Sequence, residues 1–198
     1  SDALRYYANI VSAYSGNTKR AIEKLAGTPI EVVAPSHGLI WRKNPERIIE
    51  LYQKFVAYAE GQREKAVTLV YASMYGNTAF FAETALQAVA EQGLKVEMFN
   101  LQTADIGEIL PSVWKNQGLI LCAPTYEGSL FPAAVNFLHM MKVKKVHGRT
   151  AAYFGSFGWG SMAKKQFEIA AVELKWDIID NSQFYGKPTQ ADLDQLVP

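Results

Sequence analysis

From Ala66 onward, short apolar segments alternate with amphipathic ones. The apolar segments have the length of buried strands and cover residues 66–72, 94–100, 118–123, 150–155 and 176–184. The amphipathic segments have helical spacing and cover residues 78–92, 106–115, 133–141, 162–174 and 189–196. Strands that alternate with helices predict a parallel sheet with helices on both faces. The expected fold class is therefore α/β, with a doubly wound, five-stranded parallel sheet.

The first sixty residues have another pattern, which predicts helix, strand, loop and helix. Residues 4–25 have helical character, and residues 30–34 are an apolar run typical of a strand. A second helix is expected at Pro45, with Asn44 as its N-cap. Because two helices and one strand make a poor core, residues 1–62 are interpreted as the tail of a preceding domain and residues 63–198 as a second domain.

Composition narrows the class of protein. Of the 198 residues, 49% are hydrophobic and 20% are charged, as in soluble globular proteins. The net charge of +1 gives no reason to expect nucleic acid or an anionic membrane as a partner. No apolar run approaches the ~20 residues of a membrane-spanning helix. Cys122 is the only cysteine, which excludes an internal disulfide and favours a cytoplasmic protein.

The loop after the first strand, residues 73–78, has the chemistry of a phosphate cradle. Ser73 and Thr78 offer hydroxyl donors, Gly76 allows close approach of the backbone, and the following helix begins with free N–H groups. No lysine is present, and neither the dinucleotide-binding glycine pattern nor the Gly-Lys pair of nucleotide-triphosphate loops occurs. The alternative is an ordinary strand-to-helix turn with a capping threonine.

A second Gly-Asn-Thr sequence lies at residues 16–18. It falls inside a helical pattern, follows no apolar strand and has Ala13 at the position that corresponds to Ser73. We interpret it as a helix irregularity and assign it no phosphate.

Two more loops follow the third and fourth strands, at residues 124–132 and 156–160. Ligands of open parallel sheets bind at the carboxyl ends of the strands, so these loops and the first one should meet. A flat heterocycle could stack on Tyr126 or Trp159 while backbone groups bond to its polar edge. A single aromatic in a glycine-rich loop is more often a packing residue than a ligand platform, but three such loops at one edge favour a ligand.

These loops resemble the flavodoxin domain of flavodiiron proteins. The similar segments are residues 70–78, 123–126 and 154–160, within a resemblance that covers residues 66–196. The resemblance implies a flavodoxin-like sheet of strand order 2-1-3-4-5 and FMN as cofactor. The residues that it implies for FMN binding are Ser73, Met74, Tyr75, Gly76, Asn77, Thr78, Pro124, Thr125, Tyr126, Gly128, Ser156, Phe157, Gly158, Trp159 and Gly160.

Residues 1–60 are similar to the end of the metallo-β-lactamase-like domain of that family, most clearly at residues 34–41. In flavodiiron proteins, FMN takes electrons from a partner and passes them to a diiron centre that reduces O2 or NO. His37 matches the last iron ligand, whereas the other ligands are expected before Ser1. His37 is therefore a metal ligand only if the missing domain is present, and is otherwise a structural remnant.

The resemblance also implies partners for the full-length protein. The expected electron donor is a rubredoxin or an NAD(P)H-dependent reductase, and the expected assembly is a homodimer. The fragment alone would be an electron carrier, and the longer protein an oxidoreductase. Because the chain begins with Ser1, we expect it to be a piece of something longer.

One departure from the family concerns the second loop. Family members often have Asn-Gly before Leu-Phe-Pro, whereas this chain has Glu127-Gly128-Ser129-Leu130. The backbone contact expected from Gly128 is therefore shifted by a residue.

Three functions remain in comparison. The first is the FMN-binding electron-transfer domain of a flavodiiron oxygen or nitric-oxide reductase. The second is a free-standing flavodoxin or a quinone-reducing flavoenzyme of the same fold, and the third is a flavin-free interaction module. Residues 35–38 favour the first over the second, and the intact hydroxyls and aromatics count against the third.

Overall fold

The computed structural model describes residues 2–196 and contains a five-stranded parallel sheet. The strands of the sheet are β1 (Glu64–Tyr71), β2 (Lys95–Asn100), β3 (Asn116–Cys122), β6 (Thr150–Phe157) and β7 (Asp177–Tyr185), and a small hairpin is formed by β4 (Thr125–Tyr126) and β5 (Ser129–Leu130). The order β2-β1-β3-β6-β7 confirms the predicted 2-1-3-4-5 arrangement, since the hairpin lies in a connection.

Helices occupy most of the connections. They are α1 (Asp2–Tyr6), α2 (Ser15–Leu25), α3 (Glu46–Ala59), α4 (Asn77–Glu91), α5 (Ile106–Lys115), α6 (Pro132–Val143), α7 (Ala163–Leu174) and α8 (Gln190–Asp194). A short π-helix (Tyr7–Val11) and a short 3-10 helix (Ser12–Tyr14) join α1 to α2. Among the described helices, none combines the length and apolar character needed to cross a bilayer.

Neighbouring residues of the central strands face opposite sides of the sheet. Val70, Leu121 and Tyr153 lie in one apolar cluster, with residues of α5, α6 and α7. Cys122 follows Leu121, and Phe154 follows Tyr153. Both of these next residues lie in the other cluster, with residues of α4. This two-residue alternation means that both faces of the sheet are buried, as continuous apolar strands require.

The N-terminal helices pack against α5. Tyr7 is fully buried and its ring lies 6.2 Å from that of Trp114, whose Nε1 donates to the Phe55 carbonyl at 3.1 Å. Pro111 has no N–H for the carbonyl of Gly107, and Asn9 Nδ2 donates to that oxygen instead at 2.9 Å. Residues of α1, of the following turn and of α3 therefore share a core with the sheet, while the assignment of residues 1–62 to a preceding domain stays a prediction.

The predicted strand at residues 30–34 is wrong. Only one isolated antiparallel bridge forms there, between Val33 and Trp41, and Val32 is 47% exposed. A strand forms only where a partner strand can bond to its backbone groups. Within residues 2–196, the run at residues 30–34 forms just the one bridge. The following helix is present, but Asn44 has a φ of +54° and caps nothing with its side chain, and the helix begins at Glu46.

Gly155 is the most closely packed of the described glycines. A Cβ at this position would meet the Tyr153 hydroxyl at 2.1 Å and the Ala123 carbonyl oxygen at 2.6 Å. The two atoms are themselves bonded, because the Tyr153 hydroxyl donates to that carbonyl at 2.9 Å. A glycine is therefore required where β6 passes the end of β3.

We expect Gly155→Ala to lower the free energy of unfolding by about 1–3 kcal/mol, because the added methyl overpacks this contact. Urea denaturation measures the change. Gly16→Ala is the matched control, since its Cβ would meet nothing within 4 Å and Gly16 lies in α2. That variant should gain roughly 0.5–1 kcal/mol. Equal stability of Gly155→Ala and the parent chain would contradict the close packing.

Candidate functional site

A cleft of about 430 Å³ lies where β1, β3 and β6 end. Its volume is in the range of small-molecule sites. The residues of the three predicted loops that line it are Ser73, Met74, Tyr75, Asn77, Thr78, Pro124, Thr125, Tyr126, Gly128, Ser156, Phe157, Gly158, Trp159 and Gly160. The structure thus brings the three loops together, as the parallel sheet requires. Their role in binding FMN stays a prediction.

Gly76 is the one predicted residue that does not line the cleft. It is the N-cap of α4 with a φ of +88°, a conformation that favours glycine. Its N–H donates to the Ser73 hydroxyl at 3.1 Å, and the Ser73 N–H donates to Gln102 Oε1 at 2.8 Å. The first N–H groups of α4 have no acceptor within the helix, and Gly76 offers no side chain to them. These donors are available to an anion.

Two buried hydroxyls meet beside the start of α4. Thr78 Oγ1 lies 3.1 Å from Ser156 Oγ, and each residue is at least nine-tenths buried. One hydroxyl of such a pair donates to the other, which leaves a single O–H donor for a ligand. Ser156 and Phe157 belong to β6, which is two residues longer than the predicted strand of 150–155. Their positions are therefore fixed by the sheet.

The second loop is a two-residue hairpin between β4 and β5. Tyr126 pairs with Ser129, and the turn residues Glu127 and Gly128 have φ values of +48° and +75°. Positive φ at both positions is typical of a type I′ turn. The Gly128 carbonyl accepts from the Met162 N–H at 2.7 Å, so this carbonyl is occupied within the protein.

Ser161 ties the second loop to the third. Its hydroxyl lies 2.6 Å from the Thr125 hydroxyl and accepts from Gln183 Nε2 at 2.8 Å. It also accepts from the Ala163 N–H at 3.2 Å, at the start of α7. Ser161 lies just outside the predicted third loop of residues 156–160, although a serine just before a helix is an N-cap signal.

Two further lining residues were not predicted, Glu127 and Gly186. Gly186 follows β7 at the same edge, and its N–H donates to the Phe157 carbonyl at 2.9 Å. Its position just after the fifth predicted strand is the sequence feature that could have indicated it. Glu127 lies within the predicted second loop, at a turn position, although it was not among the residues predicted for the cofactor.

Aromatic side chains around the cleft are unusually exposed. The exposed fractions are 86% for Tyr75, 82% for Trp159 and 43% for Tyr126. Tyr126 contacts the Phe131 ring edge-on at 5.9 Å. Exposed apolar surface around a cleft is typical of a ligand or partner site.

The cleft contains almost no charge. Among its lining residues within 2–196, only Glu127 is charged. Beneath it, burial raises the pKa of the Cys122 thiol and of the Tyr153 hydroxyl, so both are neutral at pH 7. An anion bound here would be held by N–H and O–H donors and not by a cation.

His37 lies away from this cleft. It is exposed, and its ring centroid is 5.5 Å from that of Tyr6. Over residues 2–196, no three His, Cys, Asp or Glu side chains are grouped closely enough to hold a metal. A role for His37 as an iron ligand depends on residues beyond this chain and stays a prediction.

The flavodoxin family model matches residues 69–178. The anaerobic nitric oxide reductase flavorubredoxin of Escherichia coli O1:K1 is 33% identical over 194 residues, which is 96% of this chain and 40% of that protein. The Vibrio vulnificus protein of the same name is 32% identical over 187 residues, 87% of this chain and 37% of that protein.

Among solved structures, rubredoxin oxygen:oxidoreductase from Desulfovibrio gigas superposes with a TM-score of 0.90 at 28% identity. The match covers 98% of this chain and 49% of that one. The Giardia intestinalis flavodiiron protein has the same TM-score at 24% identity, which shows the fold alone, over 98% of this chain and 48% of that one. The chain spans less than half the length of these relatives.

Proposed function

We propose, on the premise that this chain belongs to the flavodoxin family, that it is the FMN-binding electron-transfer domain of a flavodiiron oxygen or nitric-oxide reductase. The observation that carries the proposal is the meeting of all three predicted loops in one cleft at the carboxyl edge of the sheet. The family and its flavodiiron relatives imply FMN as the cofactor, with the diiron centre in a longer protein.

The cleft fits FMN in its donors and in its shape. A terminal phosphate would accept from the N–H groups at the start of α4 and from the Thr78–Ser156 hydroxyl pair. The absence of a Cβ at Gly76 leaves open space beside this loop. The same end of the cleft contains no carboxylate among the described residues that would repel the phosphate. FMN, when bound, supplies the ability to accept and release electrons.

The chain's own residues would orient the flavin ring. Tyr126 and Trp159 provide aromatic faces on two separate loops, and the Thr125–Ser161 hydrogen bond keeps those loops together. Backbone groups of residues 156–160 would meet the polar edge of the ring. The exposure of Tyr75 and Trp159 places this site at the surface, where an electron-transfer partner can approach.

The proposal includes the partners. Two relatives are named a flavorubredoxin and a rubredoxin oxygen:oxidoreductase. By analogy, the electron donor would be a rubredoxin or an NAD(P)H-dependent reductase. The acceptor would be a diiron centre in a preceding domain, to which residues 1–62 and His37 would belong. The full-length protein would be a homodimer and would reduce O2 or NO.

Two alternatives keep the fold. A free-standing flavodoxin is disfavoured because similarity to the flavodiiron relatives covers 96–98% of this chain, including the residues before β1. A flavin-free interaction module is disfavoured because the hydroxyls and exposed aromatics of the cleft are all in place. We also propose a cytoplasmic location, which the single, buried Cys122 supports.

The first test of the function identifies the flavin. We expect the purified or reconstituted chain to be yellow and to hold one FMN, because the cradle is built for a terminal phosphate. Denaturing the protein and chromatographing the released flavin measures this. Release of FAD, or no flavin after reconstitution, would refute the assignment.

We expect Thr78→Val to weaken FMN binding by about 1–3 kcal/mol, because a phosphate oxygen loses a hydroxyl donor. Affinity for riboflavin, which lacks the phosphate, should change little. Fluorescence titration with both flavins measures the difference. Thr84→Val is the matched control, since Thr84 lies in the same helix and donates to the Phe80 carbonyl outside the cleft. An equal loss of affinity for FMN and riboflavin would show that Thr78 does not contact the phosphate.

We expect Trp159→Leu to brighten the emission of bound FMN and to weaken binding by roughly 0.5–1.5 kcal/mol, because the indole contacts the ring. The reduction potential for the second electron should rise, since an electron-rich ring disfavours added negative charge. Steady-state fluorescence and redox titration measure these effects. Tyr14→Leu is the control, because Tyr14 is also an exposed aromatic, at 63%, but does not line the cleft. Reduced stability with unchanged emission, affinity and potential would make Trp159 a packing residue.

A further inference from the structure

A second cavity lies at the opposite edge of the sheet, where β1 and β6 begin. Its volume is about 160 Å³. Four basic residues line it, Arg63, Lys145, His147 and Arg149, and no acidic residue does within the described chain. The cavity therefore concentrates basic side chains, whereas the cleft at the other edge is nearly free of charged ones.

Arg149 is buried, with 1% of its surface exposed. Its Nε donates to the Val113 carbonyl at 3.0 Å and its Nη2 to the Trp114 carbonyl at 3.3 Å, both in the last turn of α5. Its Nη1 donates to the His147 carbonyl. Each terminal nitrogen carries two N–H groups, so one N–H on each has no partner among these bonds.

Arg63 shares one of those acceptors. Its Nη2 also donates to the His147 carbonyl, at 2.9 Å, and both N–H groups of its Nη1 are used, one by the Gly148 carbonyl and one by Gln117 Oε1 at 3.1 Å. Its Nε is buried and has no hydrogen-bond partner in the described part of the chain. A buried N–H without an acceptor loses its hydrogen bonds to water and gains none in return. Two guanidinium groups thus meet at one carbonyl oxygen with donors to spare.

No carboxylate among residues 2–196 lies within 4.0 Å of these arginines or of Lys145. The acids nearest to Arg63 in sequence, Glu60 and Glu64, pair with lysines at 2.6 and 3.2 Å. Burial, and then the charge of Arg63, lowers the pKa of Arg149. Like charges held together in a poorly solvated place favour an anion between them.

The segment before β6 concentrates its basic residues on one side. Lys145, His147 and Arg149 all line the cavity, whereas Val146 between them is fully buried in the core. On the facing wall, Gly16 leaves open space, since a Cβ there would meet nothing within 4 Å. The second Gly-Asn-Thr sequence thus begins at this cavity.

We propose that this cavity binds a small tetrahedral oxyanion of phosphate or sulfate size. The spare N–H groups of Arg63 and Arg149 would bond to its oxygens, and Lys145 would add charge from the rim. The planar guanidinium fork suits such an anion. The volume admits the free ion, or the terminal phosphate of a larger molecule that stays outside.

The test is a titration of the FMN-saturated chain with inorganic phosphate at constant ionic strength, followed by backbone amide NMR. FMN occupies the phosphate cradle of the first loop, and the amides of residues 76–78 report separately on that loop. We expect the amides of Gly16, His147 and Gly148 to shift along one saturating curve. If the chain binds no FMN, the same titration still reports separately on the first loop and on the cavity. Failure of the proposed function can therefore be distinguished from failure of this proposal.

Lys145→Gln should weaken phosphate binding about tenfold, because a charged donor is lost. Lys164→Gln is the control, since Lys164 is an exposed lysine in the first turn of α7 and lines neither the cavity nor the cleft. Tighter binding of ADP than of phosphate would identify a larger phosphorylated ligand. The proposal would be overturned if these amides did not shift in 100 mM phosphate, or if the two substitutions had equal effects. The arginines would then serve only to cap the carbonyl groups of α5 and of the neighbouring loop.

Discussion

The hydrogen bonds that fix Ala123 determine where the cleft forms. The Ala123 carbonyl accepts from the Tyr153 hydroxyl at 2.9 Å, and its N–H donates to the Phe154 carbonyl at 3.0 Å. Gly155 allows this approach because it has no Cβ. The second and third loops leave the sheet from these residues, so their positions relative to each other are set by the core. A ligand site needs such rigid support from elements outside it.

The two edges of the sheet differ in the charge of their hydrogen-bond donors. At the carboxyl edge, the donors that we propose for the FMN phosphate, from the start of α4 and from Thr78 and Ser156, are neutral. At the amino edge, Arg63 and Arg149 supply full charges next to the end of α5. Neutral donors keep the surroundings of a redox group free of a strong fixed charge, whereas buried guanidinium groups require a counter-charge. The net charge of +1 for the whole chain does not reveal this difference in charge between the two edges.

The sequence was enough for the sheet and for most of the cleft. Continuous apolar strands that alternate with amphipathic helices have essentially one way to bury both faces, and the carboxyl ends of parallel strands share an edge. The sequence alone therefore predicted that the loops of residues 73–78 and 156–160 lie close together. The sequence failed at residues 30–34, because an apolar run does not specify whether a partner strand exists.

Local pattern by itself thus determined the order of elements, the doubly wound sheet and the hydroxyl and aromatic residues of the cleft. Only the tertiary structure decided that Ser161 joins two loops, that Asn9 replaces the hydrogen bond lost at Pro111, and that Arg63 and Arg149 share one carbonyl. These contacts join residues as much as 98 positions apart. Periodicity reports which face of an element is buried, but it carries no information on which distant side chain lies opposite.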